Sequence, residues 1–235
     1  MKNIIISLIF LTSSFIFSQK AKVTYIASTS NYMEGLKTKK NHTKYLDDIN
    51  NSSDVECNLY INKNKAYYKK EESLKVDGSS INMTSVLAGI GIYYYDLKIG
   101  SSLTEIEGFL VEHKKINWKL TNETRKIGEY TCLKATTIVI RKYRDGYREK
   151  KIIAWYTPEI ALNFGPKFYY GLPGLILSLQ EGNEIYFIVK TIDLNPKEDI
   201  IIPEPPKDLE RITFEEYGKI ISKRFADFRR KKRKN

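Results

Sequence analysis

Residues 130–157 constrain the fold more than any other part of the chain. Tyr130 to Tyr143 and Tyr147 to Thr157 alternate apolar and polar residues on either side of Asp145-Gly146. Side chains of a strand point to opposite faces in turn, so period-two runs of this length read as strands. An Asp-Gly pair between them suits a type I′ turn, whose twist matches the strands it joins. The pattern predicts an antiparallel hairpin with Tyr130, Cys132, Thr136, Ile138 and Ile140 on one face and Leu133, Ala135 and Val139 on the other. A second hairpin follows, with Leu175 to Gln180 and Ile185 to Leu194 joined through Glu181-Gly182-Asn183-Glu184. Both faces carry apolar residues, so this sheet is expected to be covered on both sides in places.

The first half repeats the theme. Lys22 to Ser28 alternates, and Val55, Cys57, Leu59 and Ile61 recur at period two before a turn at 62–65 and a strand over Ala66 to Lys70. Tyr93-Tyr94-Tyr95 and Leu103 to Val111 add candidates, with Gly89-Ile90-Gly91 relaxing a bend before the first. Residues 31–54 are polar and predict a loop or a short helix around Thr43 to Ile49. Pro203, Pro205 and Pro206 end the sheet, because proline cannot donate to a central ladder. Thr213 with Glu216 then forms a capping box, and Phe214, Tyr217, Ile220, Ile221, Phe225 and Phe228 make an apolar stripe at helical spacing. The expected fold is mainly β (α+β): a single curved antiparallel sheet or half-barrel with a C-terminal helix. Strand count and compartment suggest an analogy with periplasmic lipoprotein carriers.

The N-terminus reads as a secretory signal, with Lys2, an apolar stretch from Ile4 to Phe17 and small Ser18 at the cleavage point. That stretch is short for a membrane span, which needs about 20 residues. The expected organisation is a signal peptide over 1–18, a β-rich domain over 19–206, and an amphipathic helix with a basic tail over 207–235. Localisation is then the periplasm or cell envelope of a Gram-negative bacterium. The net charge of +11 points, in an exported chain, to anionic lipid head groups or acidic polymers before nucleic acid, or simply to a solvated surface. Cys57 and Cys132 enter an oxidising compartment. A bridge would close a loop of about 75 residues, worth on the order of 4 kcal/mol; the alternative is two buried free thiols.

Gly171-Leu172-Pro173-Gly174-Leu175-Ile176 is the most distinctive short segment. Pro173-Gly174 suits the centre of a type II turn, proline fixing the first central φ and glycine accepting a positive second. Upstream stand Trp118-Lys119-Leu120, Lys126-Ile127, Tyr130-Thr131-Cys132-Leu133-Lys134-Ala135, Ala154-Trp155-Tyr156-Thr157-Pro158-Glu159-Ile160 and Gly165-Pro166. On these residues, over roughly 118–177, the chain resembles the GLPGLI family, secreted proteins of Bacteroidota-type Gram-negative bacteria. One departure is Ala161-Leu162, where the family pattern places a proline near Ile160. The resemblance implies export and architecture and carries no activity. Gly165, Pro166 and Gly171 to Ile176 are read as a structural motif rather than ligand contacts.

Catalytic designs find little support in the residue inventory. His42 and His113 are isolated and lysine-flanked, so no metal or other cofactor is expected. Gly-x-Ser-x-Gly and phosphate-cradling loops are missing from the sequence. Cys132 with His113 is conceivable as a thiol pair, but a Tyr-x-Cys-x-Lys-Ala strand places that cysteine as a core residue would sit. Glu107, Glu112, Glu123, Glu129 and Glu159 show no spacing that singles out an acid/base pair. Aromatic clustering is the stronger hint. Trp118, Trp155, Tyr156, Phe168 and Tyr169 would line an apolar ligand site on a concave sheet, or else serve as ordinary core.

The leading reading is therefore a non-enzymatic envelope protein that binds an apolar or peptide-like ligand, or an outer-membrane transport or secretion component. An envelope hydrolase or thiol enzyme using Cys132 is the first alternative. The second is a scaffold docking to an anionic membrane through Arg229, Arg230, Lys231, Lys232, Arg233 and Lys234, which otherwise form a solvated tail. Nucleic acid is not an expected partner.

Overall fold

The computed structural model describes residues 20–29, 52–71, 82–143 and 146–232. The expected signal segment, the helix expected near Thr43 to Ile49, His42, Asp145 and the last three residues lie outside them. Twelve strands form one sheet: β1 (Lys20–Ser28), β2 (Val55–Asn62), β3 (Lys65–Lys70), β4 (Ile92–Asp96), β5 (Ser101–Ile106), β6 (Phe109–Glu112), β7 (Lys119–Ile127), β8 (Tyr130–Tyr143), β9 (Gly146–Thr157), β10 (Leu175–Glu181), β11 (Ile185–Asp193) and β12 (Glu210–Thr213). A short helix α1 (Met83–Leu87) precedes β4, and α2 (Phe214–Lys232) follows β12. The spatial order is β12-β6-β5-β4-β3-β2-β1-β11-β10-β9-β8-β7. Every pairing is antiparallel except β12 with β6, so the sheet is mixed.

The connection from β6 to β7 dictates the curvature. These strands are second and twelfth in the sheet, about 48 Å apart if it were flat. Only residues 113–118 join them, and so short a segment spans at most about 25 Å. The sheet must therefore curl until its two edges approach, giving the half-barrel that the strand count suggested. A second long connection, 194–209, straps the outside of the sheet. Lys20 pairs with Asp199 there, Asn62 Nδ2 donates to the Ile200 carbonyl at 2.7 Å, and Lys65 bonds Glu204 at 2.5 Å.

Several local expectations change in the structure. The run read as one strand from Leu103 to Val111 is a hairpin, broken by Glu107-Gly108 with φ of 50° and 83°, the positive pair that a type I′ turn requires. The β8–β9 ladder closes on Tyr143↔Gly146, so Gly146 belongs to β9 rather than to the centre of its turn. The segment expected to pass straight from the prolines into a helix first adds β12 at the sheet edge. Thr213 is nonetheless the cap: it accepts from the Glu216 N–H, and its own N–H donates to the Glu216 carboxylate at 2.7 Å.

The concave side is filled by the protein itself. Residues 158–174 leave β9, turn inward and return to β10, burying Ile160, Leu162, Phe164, Phe168, Tyr169, Tyr170 and Leu172. Tyrosines from the facing strands meet this loop and the segments beside it. The Tyr25 hydroxyl donates to the Ile176 carbonyl at 2.7 Å and that of Tyr95 to the Gly165 carbonyl at 3.3 Å, while that of Tyr68 reaches the Ala88 carbonyl at 3.1 Å. A buried hydroxyl and a buried carbonyl each cost free energy unless paired, so the Tyr95 contact seats the loop, while those of Tyr25 and Tyr68 tie the start of β10 and the residue after α1 to the same interior.

Burial pushes all three phenols above their usual range. The folded state holds them neutral while the unfolded chain ionises near pH 10. Their stabilising contribution is thus complete below about pH 10 and is lost as pH rises above it. In a spectrophotometric titration, part of the chain's 17 tyrosines should ionise only as the circular-dichroism signal collapses. Ionisation of all of them in a native-looking protein would contradict this packing.

Candidate functional site

The expected ligand residues do not share a wall. Tyr156, Phe168 and Tyr169 are buried members of the core cluster, and Trp118 packs against it, its Nε1 donating to the Tyr170 carbonyl at 2.9 Å. Phe168 is stacked on the His113 ring at 4.4 Å, with Tyr169 at 4.5 Å on another side. Trp155 alternates to the outer face of β9. There the Arg125 guanidinium lies 4.4 Å from its ring and the Lys134 ammonium 5.9 Å, a cation–π arrangement. A small cavity lies under the 194–209 strap, among Tyr94, Leu103, Ile202, Pro203, Pro205 and Arg211. At about 90 Å³ it falls well short of the roughly 300 Å³ at which ligand sites begin.

The glycine-proline motif lies at the entry to β10 and is held from both sides. Gly174 N–H donates to the Leu172 carbonyl at 2.8 Å, closing a three-residue turn about Pro173. The expected type II turn is therefore not made. Its closing donor, the Leu175 N–H, bonds the Ile160 carbonyl at 3.0 Å instead, and Ile176 N–H bonds Phe164 at 3.0 Å. Gly174 has φ +148°, and a Cβ there would stand 2.1 Å from the Thr157 carbonyl oxygen. Gly165 is crowded likewise, its Cβ position 2.6 Å from Ile176 Cδ1. Gly171 also has positive φ but faces open space.

Beside the motif lies a charged group that the pattern of residues did not single out. Lys167, in the left-handed region at φ 56°, sends its ammonium inward to the Glu181 carboxylate at 2.5 Å and the Leu87 carbonyl at 3.2 Å. Glu181 also sits 3.7 Å from Lys150, which bonds Glu184 at 2.7 Å. A lysine inside the aromatic run from Pro166 to Tyr170 was the available signal. Its partner, at the end of an apolar strand, could not be found without the fold.

The nucleophile candidate is poorly placed for chemistry. Cys57 and Cys132 are free and buried, on strands with four others between them. Desolvation pushes both thiols up to about 11, although Arg125 partly offsets it at Cys132. A thiol held there is protonated at neutral pH and is not a nucleophile. His113 is engaged elsewhere, with Nε2 2.6 Å from Thr104 Oγ1. Among the candidate carboxylates, Glu107 pairs with Arg224, Glu123 with Lys134, and Glu159 accepts the Thr131 N–H. Among the described residues no cluster of three His, Cys, Asp or Glu side chains could hold a metal ion.

Residues 141–178 match a family model described as a protein of unknown function, Porph_ging. The match runs from near the β8–β9 turn through β9 and the inward loop to Ser178, so it takes in the whole glycine-proline motif. No curated protein matches the chain. Among solved structures, two crystal forms of PNGF-II are similar, with a TM-score of 0.48 and identities of 17% and 16%. Those alignments cover 87% of this chain and 33% of theirs, so the chain spans about a third of their length. LprF from Mycobacterium bovis aligns over 80% of this chain and 91% of its own, with a TM-score of 0.32 and 8% identity. These are partial backbone likenesses.

Proposed function

We propose that this chain is a non-enzymatic, exported cell-envelope protein of the GLPGLI type, which acts by presenting its outer surface to an envelope partner. One observation carries the reading. The concave side, where a small apolar ligand would be held, is occupied by residues 158–174, with Phe164, Tyr169 and Leu172 almost fully buried. A filled half-barrel is a rigid body whose function lies on its strands, turns and edges. The buried, protonated Cys132 and the structural engagement of the carboxylates also favour binding over catalysis. The Porph_ging match across the motif supports the family reading, and the apolar leader beginning at Ile4 supports export.

Purification from the native envelope after mild crosslinking tests this. The expected result is a mature N-terminus near Gln19, a native mass equal to the polypeptide alone, and a reproducible crosslinked envelope partner. A stoichiometric small molecule in the native mass would instead restore an interior ligand site. Loss of a measured activity in a folded Cys132→Ala variant would restore the thiol enzyme.

A further inference from the structure

The β8–β9 hairpin outruns the sheet that carries it. β7 pairs with β8 only as far as Thr136, and β10 pairs with β9 only as far as Ile152. Among the described residues, the six further rungs from Ile138↔Lys151 to Tyr143↔Gly146 have no strand on either side. At about 3.4 Å per residue they project roughly 20 Å. A free two-stranded ribbon is marginal in water, but the base of this one is clamped. Lys150 bonds Glu184, and the Gly182 N–H donates to the Lys151 carbonyl at 2.8 Å, so the β10–β11 turn buttresses the arm.

On one face of the arm Ile138 and Ile140 are 59% and 64% exposed, with nothing of the sheet to cover them. Leaving aside the two residues at the tip and Lys150, whose charge is taken by Glu184 and Glu181, positions 137–151 hold four cations, Arg141, Lys142, Arg148 and Lys151, against the single carboxylate of Glu149. A second cationic element points the same way. The strand directions place the β5–β6, β8–β9 and β10–β11 turns at one end of the half-barrel. α2 starts at the other end and runs back, setting Tyr217 against Phe109 and Arg224 on Glu107 of the β5–β6 turn. Its last turns, with Arg229 to Lys232, therefore head towards the end from which the arm projects.

We propose that this end of the molecule docks on an anionic lipid surface, the arm inserting Ile138 and Ile140 at the headgroup boundary while its cations and those of α2 meet the head groups. An anionic bilayer offers both kinds of contact in one partner: charge for the cations and an acyl boundary for exposed aliphatic residues. Two arms of like charge would repel, which disfavours self-association there. A nucleic acid or acidic polymer would leave the isoleucines unused. The proposal rests on the outer-surface reading above and specifies one such surface.

The test uses the mature chain from Gln19 onward, labelled with an environment-sensitive fluorophore at Ile140→Cys. A control label goes at Ile99→Cys, 74% exposed in the β4–β5 turn at the opposite end. Cys57 and Cys132 are buried and should stay unlabelled. The expected result is a blue shift at position 140 with phosphatidylglycerol vesicles, none with phosphatidylcholine, and none at position 99. Replacing Ile138 and Ile140 by Asn, or Arg148 and Lys151 by Gln, should weaken vesicle binding about tenfold or more at low salt. No shift at position 140, equal shifts at both positions, or the same shift with polyglutamate and no lipid would each overturn the proposal. None of these outcomes bears on whether a crosslinked protein partner exists, so the broader reading stands or falls separately.

Discussion

Gly174→Val is expected to lose about 4 kcal/mol or more of stability, enough to lower Tm by roughly 8–16 °C in a domain of this size. Two costs combine. At φ +148° a side chain is strained wherever it points, and the Cβ would also lie 2.1 Å from the Thr157 carbonyl oxygen and 2.6 Å from its carbon. Those atoms are backbone at the end of β9, so they cannot swing aside as a side-chain tip would. Relief requires β10 to separate from β9 exactly where the inward loop is tied by the Leu175 and Ile176 N–H bonds. Gly171→Ala separates the two costs, because that position has positive φ but no atom within 4 Å. It should lose only about 1 kcal/mol. Thermal melts of the two variants decide the matter, and a Gly174→Val protein melting within about 2 °C of wild type would mean that the loop is not seated as described.

The same loop marks the boundary of what the chain's pattern makes legible. β2, β3, β8 and β11 are plain in the sequence because each buries one face more than the other, so alternation survives, whereas β10, buried on both faces from Leu175 to Leu179, reads as a short apolar run bounded by turn residues. β7 is an edge strand exposed on most positions of both faces, and with both faces wet nothing enforces a period of two. β12 has four residues, of which Ile212 alone is buried, too few for any periodicity. The capping box at Thr213 was readable because its chemistry is local. Curvature was only half readable. Strand number suggests a curled sheet, whereas the six-residue link across the mouth shows it only once β6 and β7 have positions.

The aromatic cluster shows the limit most clearly. Its residues fall within one stretch of the chain, 118–169, and a concave sheet lined by aromatics and a concave sheet filled by them have the same composition. Which one forms depends on whether the segment between β9 and β10 turns outward or inward. That is decided by tertiary partners outside the segment: Tyr95 for Gly165, and Glu181 for Lys167. Periodicity carries no trace of such pairings.

The second large effect concerns the last of these pairs. Glu181→Leu should destabilise by about 3–5 kcal/mol, because it removes the carboxylate that pairs with the buried Lys167 ammonium and leaves that charge in the interior. Lys167→Met should cost less. Glu181 would keep Lys150 at 3.7 Å, and the methionine can fill the space among Phe168 and Phe187 that the lysine stem now occupies. The double variant is the informative one. Once both charges are gone the buried pair leaves no stranded partner, and Lys150 keeps Glu184, so stability should recover most of what Glu181→Leu loses, with a coupling of at least about 1 kcal/mol. Chemical denaturation of the four proteins measures it. Strict additivity would mean that the two side chains do not meet in solution, and that the loop reaches the core by apolar burial alone.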